Sequence, residues 1–172
     1  MENANIGTAL RGEGSRLKKL ALVLAVILAL MLGFAALFYY GGELEAEAHV
    51  AVARAADHPE AFEAVRAIVE NGAAPQTFDG APLGDVSRYL LVDVNIDLGN
   101  RGFFPVEWLD LRVEPAAGDV AVYSLAGEGG SIAPRTLDRV NLKLITAAAP
   151  DAARAVRIQY YVYGMKREIE VR

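Results

Sequence analysis

The longest uninterrupted apolar segment runs from Leu20 to Tyr40 and contains no charged residue, asparagine or glutamine. A helix of this length spans roughly 31 Å, which matches the hydrocarbon core of a bilayer. The segment also exceeds the core of a cleaved signal peptide. Lys18 and Lys19 precede it and glutamates follow it, so the positive-inside rule predicts a cytoplasmic N-terminus. We therefore predict a cytoplasmic tail over residues 1–19, disordered over 1–15, and an uncleaved transmembrane anchor over 20–40.

Helical patterns dominate the next part of the chain. Glu43 to Ala56 is rich in alanine and glutamate, which favour helices. Asp57-His58-Pro59 is typical of a helix boundary, and Asn71-Gly72 of a helix end. Between them, apolar residues recur on one helical face at Phe62, Val65, Ile68 and Val69. We predict a bend at Gly41-Gly42, a helical stalk over residues 41–72 and an irregular linker over 73–87.

From Arg88 onward the apolar period changes to two. Val92, Val94, Ile96 and Leu98 alternate with Asp93, Asn95 and Asp97, which predicts a strand with one buried face. Glycine and proline turns separate five more predicted strands, over residues 106–113, 120–125, 137–145, 155–163 and 165–171. In the first of these, Trp108 should share a face with Val106. The pattern predicts a mainly β fold, with an antiparallel immunoglobulin- or fibronectin-III-like sandwich over residues 88–172.

Charge and cysteine content narrow the function classes. The net charge of the chain is −5 at pH 7. The residues after the apolar segment carry this negative charge, because residues 1–19 are net basic. An acidic domain disfavours nucleic acid as a partner. The chain contains no cysteine, so packing and not disulfides must hold the domain together. The absence of cysteine from an external domain favours a prokaryotic source.

The sequence contains no pattern that predicts catalysis. Its two histidines, His49 and His58, precede the predicted sandwich, and Glu45 with His49 supplies too few ligands for a metal site. The Asp93–Asp97 triplet lacks the glycine and glutamate of a calcium loop, although a shallow calcium site on two of these carboxylates stays open. We expect no catalytic residue, cofactor or metal, and hence no enzyme.

Aromatic residues supply the candidate contact surface. Tyr160 should face the core, whereas Tyr161 and Tyr163 face the opposite side of the same strand. Phe103 and Phe104 lie together in a predicted turn. Exposed aromatic side chains are enriched at protein interfaces. The candidate interface is therefore Phe103, Phe104, Tyr161 and Tyr163, with cross-strand packing and a lid over the sandwich end as the alternatives.

Residues Leu90 to Val171 resemble the late-embryogenesis-abundant type 2 family, also called the water-stress-and-hypersensitive-response domain. Four stretches carry the resemblance: Val94 to Val106, Gly127 to Pro134, Val140 to Ile145 and Tyr161 to Val171. Gly102 stands where the family has a proline-containing motif. The resemblance implies a fibronectin-III-like sandwich without catalytic residues, in a membrane-anchored prokaryotic member of archaeal type.

These observations predict a function without a named partner. We expect a single-pass, extracytoplasmic β-sandwich that acts as a non-enzymatic binding or scaffold module for a protein in the membrane or cell envelope. The sequence leaves open whether the protein forms a homo-oligomer. One alternative is a filament or appendage subunit of pilin-like or stator-like type. Another is a domain that binds an apolar ligand or protects under stress.

Overall fold

The computed structural model describes residues 6–41, 43–150, 152 and 154–171, which belong to two compact units, Met1–Gly41 and Gly42–Arg172. The first unit is a helix, α1 (Ile6–Tyr40), whose segment Leu17–Tyr39 is long and apolar enough to cross a membrane. The prediction of disorder is wrong for residues 6–15, because the structure describes them as part of α1 although the segment contains Gly7, Gly12 and Gly14. Residues 1–5 of the predicted tail, and Gly42 of the predicted bend, lie outside the described residues.

The second unit is an antiparallel β-sandwich with one helix, as predicted for the fold class. Its larger sheet has the strand order β1-β3-β6-β5-β2, and its smaller sheet has the order β4-β7-β8. The elements are β1 (Leu44–Arg54), α2 (Pro59–Glu70), β2 (Gln76–Thr77), β3 (Leu90–Asn100), β4 (Glu107–Glu114), β5 (Asp119–Ala126), β6 (Leu137–Thr146), β7 (Ala155–Val162) and β8 (Met165–Val171).

The predicted helical stalk is wrong over its first half, because Leu44–Arg54 forms strand β1. This strand pairs with β3 along its whole length, from Leu44 opposite Asn100 to Arg54 opposite Leu90. Its even-numbered residues are apolar up to Val52, so the segment also has a period of two. Ladder hydrogen bonds and a partly buried face outweigh the helix propensity of alanine and glutamate, which is worth only tenths of a kcal/mol per residue. The helix predicted after Pro59 is confirmed as α2.

The main core lies between the two sheets. The predicted inward face of β3 is buried, and Tyr160 of β7 is buried as predicted, with its phenol hydrogen-bonded to the backbone of Leu44. That contact connects the smaller sheet to the first residue of β1. The largest fully buried side chains of this core are Ile96, Leu98, Leu109, Leu111, Ile132, Leu142, Leu144 and Ile158.

A second apolar cluster lies on the outer side of the larger sheet, where α2 covers one end of it. Phe62 and Val65 of α2 are buried against Ala121 and Ile145 of the sheet. The Phe62 ring also stacks on Tyr89, with ring centroids 5.6 Å apart. This packing covers the sheet near Leu90 and leaves the rest of its outer face exposed.

An ion pair is buried where β5, β6 and β7 meet. The Arg154 guanidinium donates hydrogen bonds of 2.7–3.0 Å to Asp119, whose side chain is fully buried. The Ala116 amide adds a third donor at 2.8 Å. Burial alone would raise the pKa of Asp119, but the hydrogen bonds from Arg154, Thr146 and Ala116 and the Arg154 charge outweigh it, so the pKa lies below its ordinary value.

Replacing Asp119 with alanine should lower the free energy of unfolding by about 3 kcal/mol, because it leaves the buried Arg154 guanidinium without its anion. Urea unfolding of the detergent-solubilised full chain, followed by circular dichroism of the strands, measures this change. The control is Asp97→Ala, which removes the exposed partner of Arg139 and should destabilise the fold much less. Equal losses in the two variants would contradict the role of burial.

The lowered pKa of Asp119 also predicts a pH dependence. The carboxylate stabilises the fold fully above its ordinary pKa of about 4, and this stabilisation is lost as pH falls through the lower pKa of the folded state. The stability difference between the unmodified chain and Asp119→Ala should therefore shrink as pH is lowered from about 5 towards 2. The same unfolding titrations, repeated across this range, measure it, and a constant difference would contradict the prediction.

Candidate binding surfaces

One end of the sandwich, which we call the Leu44 end, collects the residues that the sequence singled out. It is formed by the starts of β1, β4, β6 and β8 and by the ends of β3 and β7. The strand pairing shows this directly, since Leu44 lies opposite Asn100, Gly99 opposite Leu137 and Val162 opposite Met165.

Exposed apolar side chains concentrate at this end. Outside α1, seven large apolar side chains of the described residues are exposed, and five of them lie at the Leu44 end. The most exposed are Leu137, at 83%, and Trp108, at 69%. We call these five residues the end patch: Phe103, Trp108, Leu137, Tyr163 and Met165.

The structure brings three of the four predicted interface residues together. The rings of Phe104 and Tyr163 meet edge to face, with centroids 4.3 Å apart, and Arg135 stacks on Phe103 at 5.0 Å. Phe104 is half-buried and packs against the main core, as the lid alternative describes. Tyr161 is half-buried and lies on β7 opposite Glu107.

Trp108 does not share a face with Val106, contrary to the prediction. Val106 is buried, whereas Trp108 is exposed. The register between β4 and β7 shifts after Glu107, and Trp108 has a φ of 55°. Such a bulge interrupts the alternation of a strand and redirects a side chain, which the apolar pattern alone does not reveal.

Backbone strain is also concentrated at the Leu44 end. Among the described residues, the non-glycine residues with positive φ are Trp108, Arg135 and Tyr163. The left-handed region costs an ordinary residue about 1–2 kcal/mol. Tyr163 and Gly164 form the two-residue loop between β7 and β8, a hairpin turn that requires positive φ at both positions. Trp108 lies at the β4 bulge, and Arg135 follows Pro134 at the third position of a β-turn, where positive φ is common.

Asn100 holds together the loop that carries Phe103 and the loop that precedes Leu137. Its buried side-chain amide donates hydrogen bonds to the carbonyl oxygens of Phe104 at 2.8 Å, Ile132 at 3.1 Å and Ala133 at 3.2 Å. Its carbonyl oxygen accepts a bond of 2.9 Å from the Gly102 amide. The sequence pattern assigns no role to Asn100, because its partners lie in two separate loops.

A cleft of about 500 Å³ opens beside the end patch. Arg101, Arg135 and Leu137 contribute to its walls. Arg101 donates a 2.8 Å hydrogen bond to Glu45, whereas Arg135 makes no ion pair with any residue that the structure describes. A Cβ atom at Gly99 would lie 3.3 Å from a methyl carbon of Leu137, so glycine lets this side chain lie over β3.

The second candidate surface is the free edge of β1. This strand pairs with β3, and its other edge pairs with no strand of the described residues. Val50 is 59% exposed and Val52 is also exposed, and residues 48–53 contain no carboxylate, lysine or arginine. The edge of β4 differs, because the Gln76 amide covers it by bonding to the Leu111 carbonyl at 2.7 Å and the Val113 amide at 3.0 Å. Proteins usually protect long apolar strand edges, so an open one indicates a docking position.

The outer face of the larger sheet is polar and internally paired. Arg139 bonds Asp97 at 2.6 Å and thereby lowers the pKa of that carboxyl, and Lys143 lies 3.4 Å from Asp93. His49 lies 3.5 Å from Asp97. The triplet considered for calcium therefore faces cationic side chains, and the described residues contain no cluster of three His, Cys, Asp or Glu that could hold a metal ion.

A second cleft, of about 460 Å³, contains a pair of carboxyl groups. Burial raises the pKa of Glu128, and the neighbouring Asp110 raises it further through a hydrogen bond and its charge. Two coupled carboxyl groups can share a proton. Arg112 also lines this cleft and forms a 3.3 Å ion pair with Asp110.

Comparisons with known proteins add structural likenesses. No family model and no curated protein matches the sequence. The chain is similar to a crystal structure of the yeast GGA1 GAE domain, with a TM-score of 0.39 and 14% identity over 52% of this chain and 81% of that one. It is also similar to a FixG-related protein from Vibrio parahaemolyticus, with a TM-score of 0.31 and 14% identity over 72% of this chain and 92% of that one.

Replacing Asn100 with alanine should destabilise the fold by about 2 kcal/mol, because buried carbonyl groups lose their donor. It should also speed hydrogen exchange at the Gly102 amide, whose acceptor is removed. Asn141→Ala is the control, since Asn141 is a half-buried amide that bonds Asn95 on the outer face. Unchanged exchange at Gly102 in Asn100→Ala would contradict the clamping role.

Proposed function

We propose that this protein is a single-pass membrane protein whose extracytoplasmic β-sandwich binds a protein partner and has no enzymatic activity. The observation that carries the proposal is the free edge of β1, in a domain that follows an apolar helix of membrane-spanning length. The resemblance of residues 90–171 to the late-embryogenesis-abundant type 2 family supports a non-catalytic role.

The anchor would raise the effective concentration of the domain for its neighbours. A tethered domain meets other membrane proteins in a thin layer, so weak contacts suffice for binding. The basic residues before the apolar helix and the glutamates after it support an external domain.

The orientation can be tested by cysteine labelling, because the chain contains no cysteine. In intact cells, a membrane-impermeant maleimide should label Ser131→Cys, which lies in an exposed loop of the sandwich. Ser15→Cys should be labelled only after the membrane is permeabilised. The reverse pattern would contradict the proposed topology.

The free edge of β1 supports a specific mode of binding. An extended segment of a partner can add to the sheet as a further strand, with main-chain hydrogen bonds for affinity and side-chain contacts for specificity. Val50 and Val52 would supply the apolar contacts. The lack of carboxylates, lysine and arginine between residues 48 and 53 keeps the desolvation cost of this edge low.

A photoreactive phenylalanine analogue at position 50 or 52 should form an adduct with one protein partner in native membranes. The same analogue at Glu63, an exposed position on α2, is the matched control and should not. Val50→Lys should abolish the adduct formed from position 52, because it places a charge in the apolar contact. Adducts only between copies of the chain would contradict a distinct partner and favour self-assembly.

A further inference from the structure

The end patch lies where the chain enters the sandwich from α1. Three residues, Gly41 to Glu43, separate the last residue of α1 from the first residue of β1. At 3.3–3.6 Å per residue, the chain between Tyr40 and Leu44 is at most about 14 Å long. Because β1 replaces the expected stalk, the sequence leaves only these three residues between the proposed anchor and the first strand of the sandwich.

The composition of this end fits a phospholipid interface. Tryptophan and tyrosine favour the headgroup level, where the ring is apolar and its polar atom meets water. Trp108 and Tyr163 are such residues, Phe103 adds an apolar ring, and Leu137 adds an aliphatic side chain that is largely exposed. Exposing these apolar side chains to water does not stabilise the sandwich.

Arg135 supplies a cation for lipid phosphate. Its guanidinium stacks on Phe103 and lines the cleft beside Leu137, and it makes no ion pair within the described residues. A guanidinium presents several donors in a plane that matches phosphate oxygens. Glu107 and Asp138 are exposed next to the patch, so the charge pattern fits zwitterionic lipid better than a strongly anionic surface.

The backbone directs two of these side chains. Trp108 has a positive φ at the β4 bulge, and Arg135 has a positive φ in the turn that follows Pro134. At Trp108 the bulge directs the largest side chain of the chain into solvent.

We propose that the Leu44 end docks on the bilayer, with Trp108, Phe103 and Leu137 in the headgroup region and Arg135 on lipid phosphate. This inference rests on the proposed anchoring. It deepens that function, because docking fixes the sandwich against the membrane and leaves the β1 edge beside Val50 and Val52 for a protein partner.

Trp108 is the single tryptophan of the chain, so the tryptophan fluorescence reports how deeply this side chain enters the bilayer. The full chain is reconstituted into phosphatidylcholine vesicles, with and without bromine on the acyl carbons near the headgroup, and flotation is measured in parallel. We expect at least a twofold loss of Trp108 emission in the brominated vesicles. Bromine quenches only at short range, and no other protein is present to account for contact.

Two double variants separate docking from general exposure. Phe103→Ser with Leu137→Ser should abolish most of the quenching, whereas Val50→Ser with Val52→Ser removes exposed apolar surface from the β1 edge and should leave it unchanged. Circular dichroism checks the strands of each variant. If the first pair fails to fold, Leu137→Ser alone, at a largely exposed position, should still reduce the quenching.

The outcomes distinguish the two proposals. Flotation without quenching would overturn docking and leave the anchor intact. A chain that does not float would overturn the anchor. Equal quenching in both double variants would also overturn the assignment of these residues.

Discussion

The pairing of β1 with β3 is the interaction on which the rest of the arrangement depends. It draws Leu44–Arg54 into the larger sheet over eleven residues. It thereby places Leu44 beside Asn100, where the Tyr160 phenol also bonds to it. The same pairing determines where the chain enters the sandwich and leaves the second edge of β1 open.

This pairing also explains which elements the sequence could predict. In β3, strongly apolar residues alternate with acids, so the local pattern is sufficient. In α2, the apolar stripe ends at Asn71-Gly72, and helix formation needs little more than its own residues. In β1 the same local rules favour a helix, because alanine and glutamate are helix formers. The strand exists because residues 36 to 56 positions later supply its ladder, and no local pattern reports such a partner.

The candidate surface was predictable to a similar extent. Phe103, Phe104 and Tyr163 were chosen for their residue type and turn position, and they do lie together. Leu137 was assigned to a regular strand, and its exposure follows from the small Gly99 opposite it. Trp108 was assigned to the wrong face. A bulge in β4 redirects its side chain, and the apolar pattern of the sequence does not reveal that bulge. Asn100 was missed because two of the three carbonyl groups that its amide bonds lie more than 30 residues away in the chain.

The two surfaces differ in whether their side chains already form ion pairs within the domain. The outer face has many charged side chains, yet Asp93 and Asp97 already face Lys143 and Arg139, so a ligand there must displace existing contacts. Such exchange gains little free energy in a well-hydrated site. At the Leu44 end, Trp108 and Leu137 are exposed to water and Arg135 has no anion among the described residues. Burying these groups breaks no ion pair among the described residues, whereas a ligand on the outer face would have to break several.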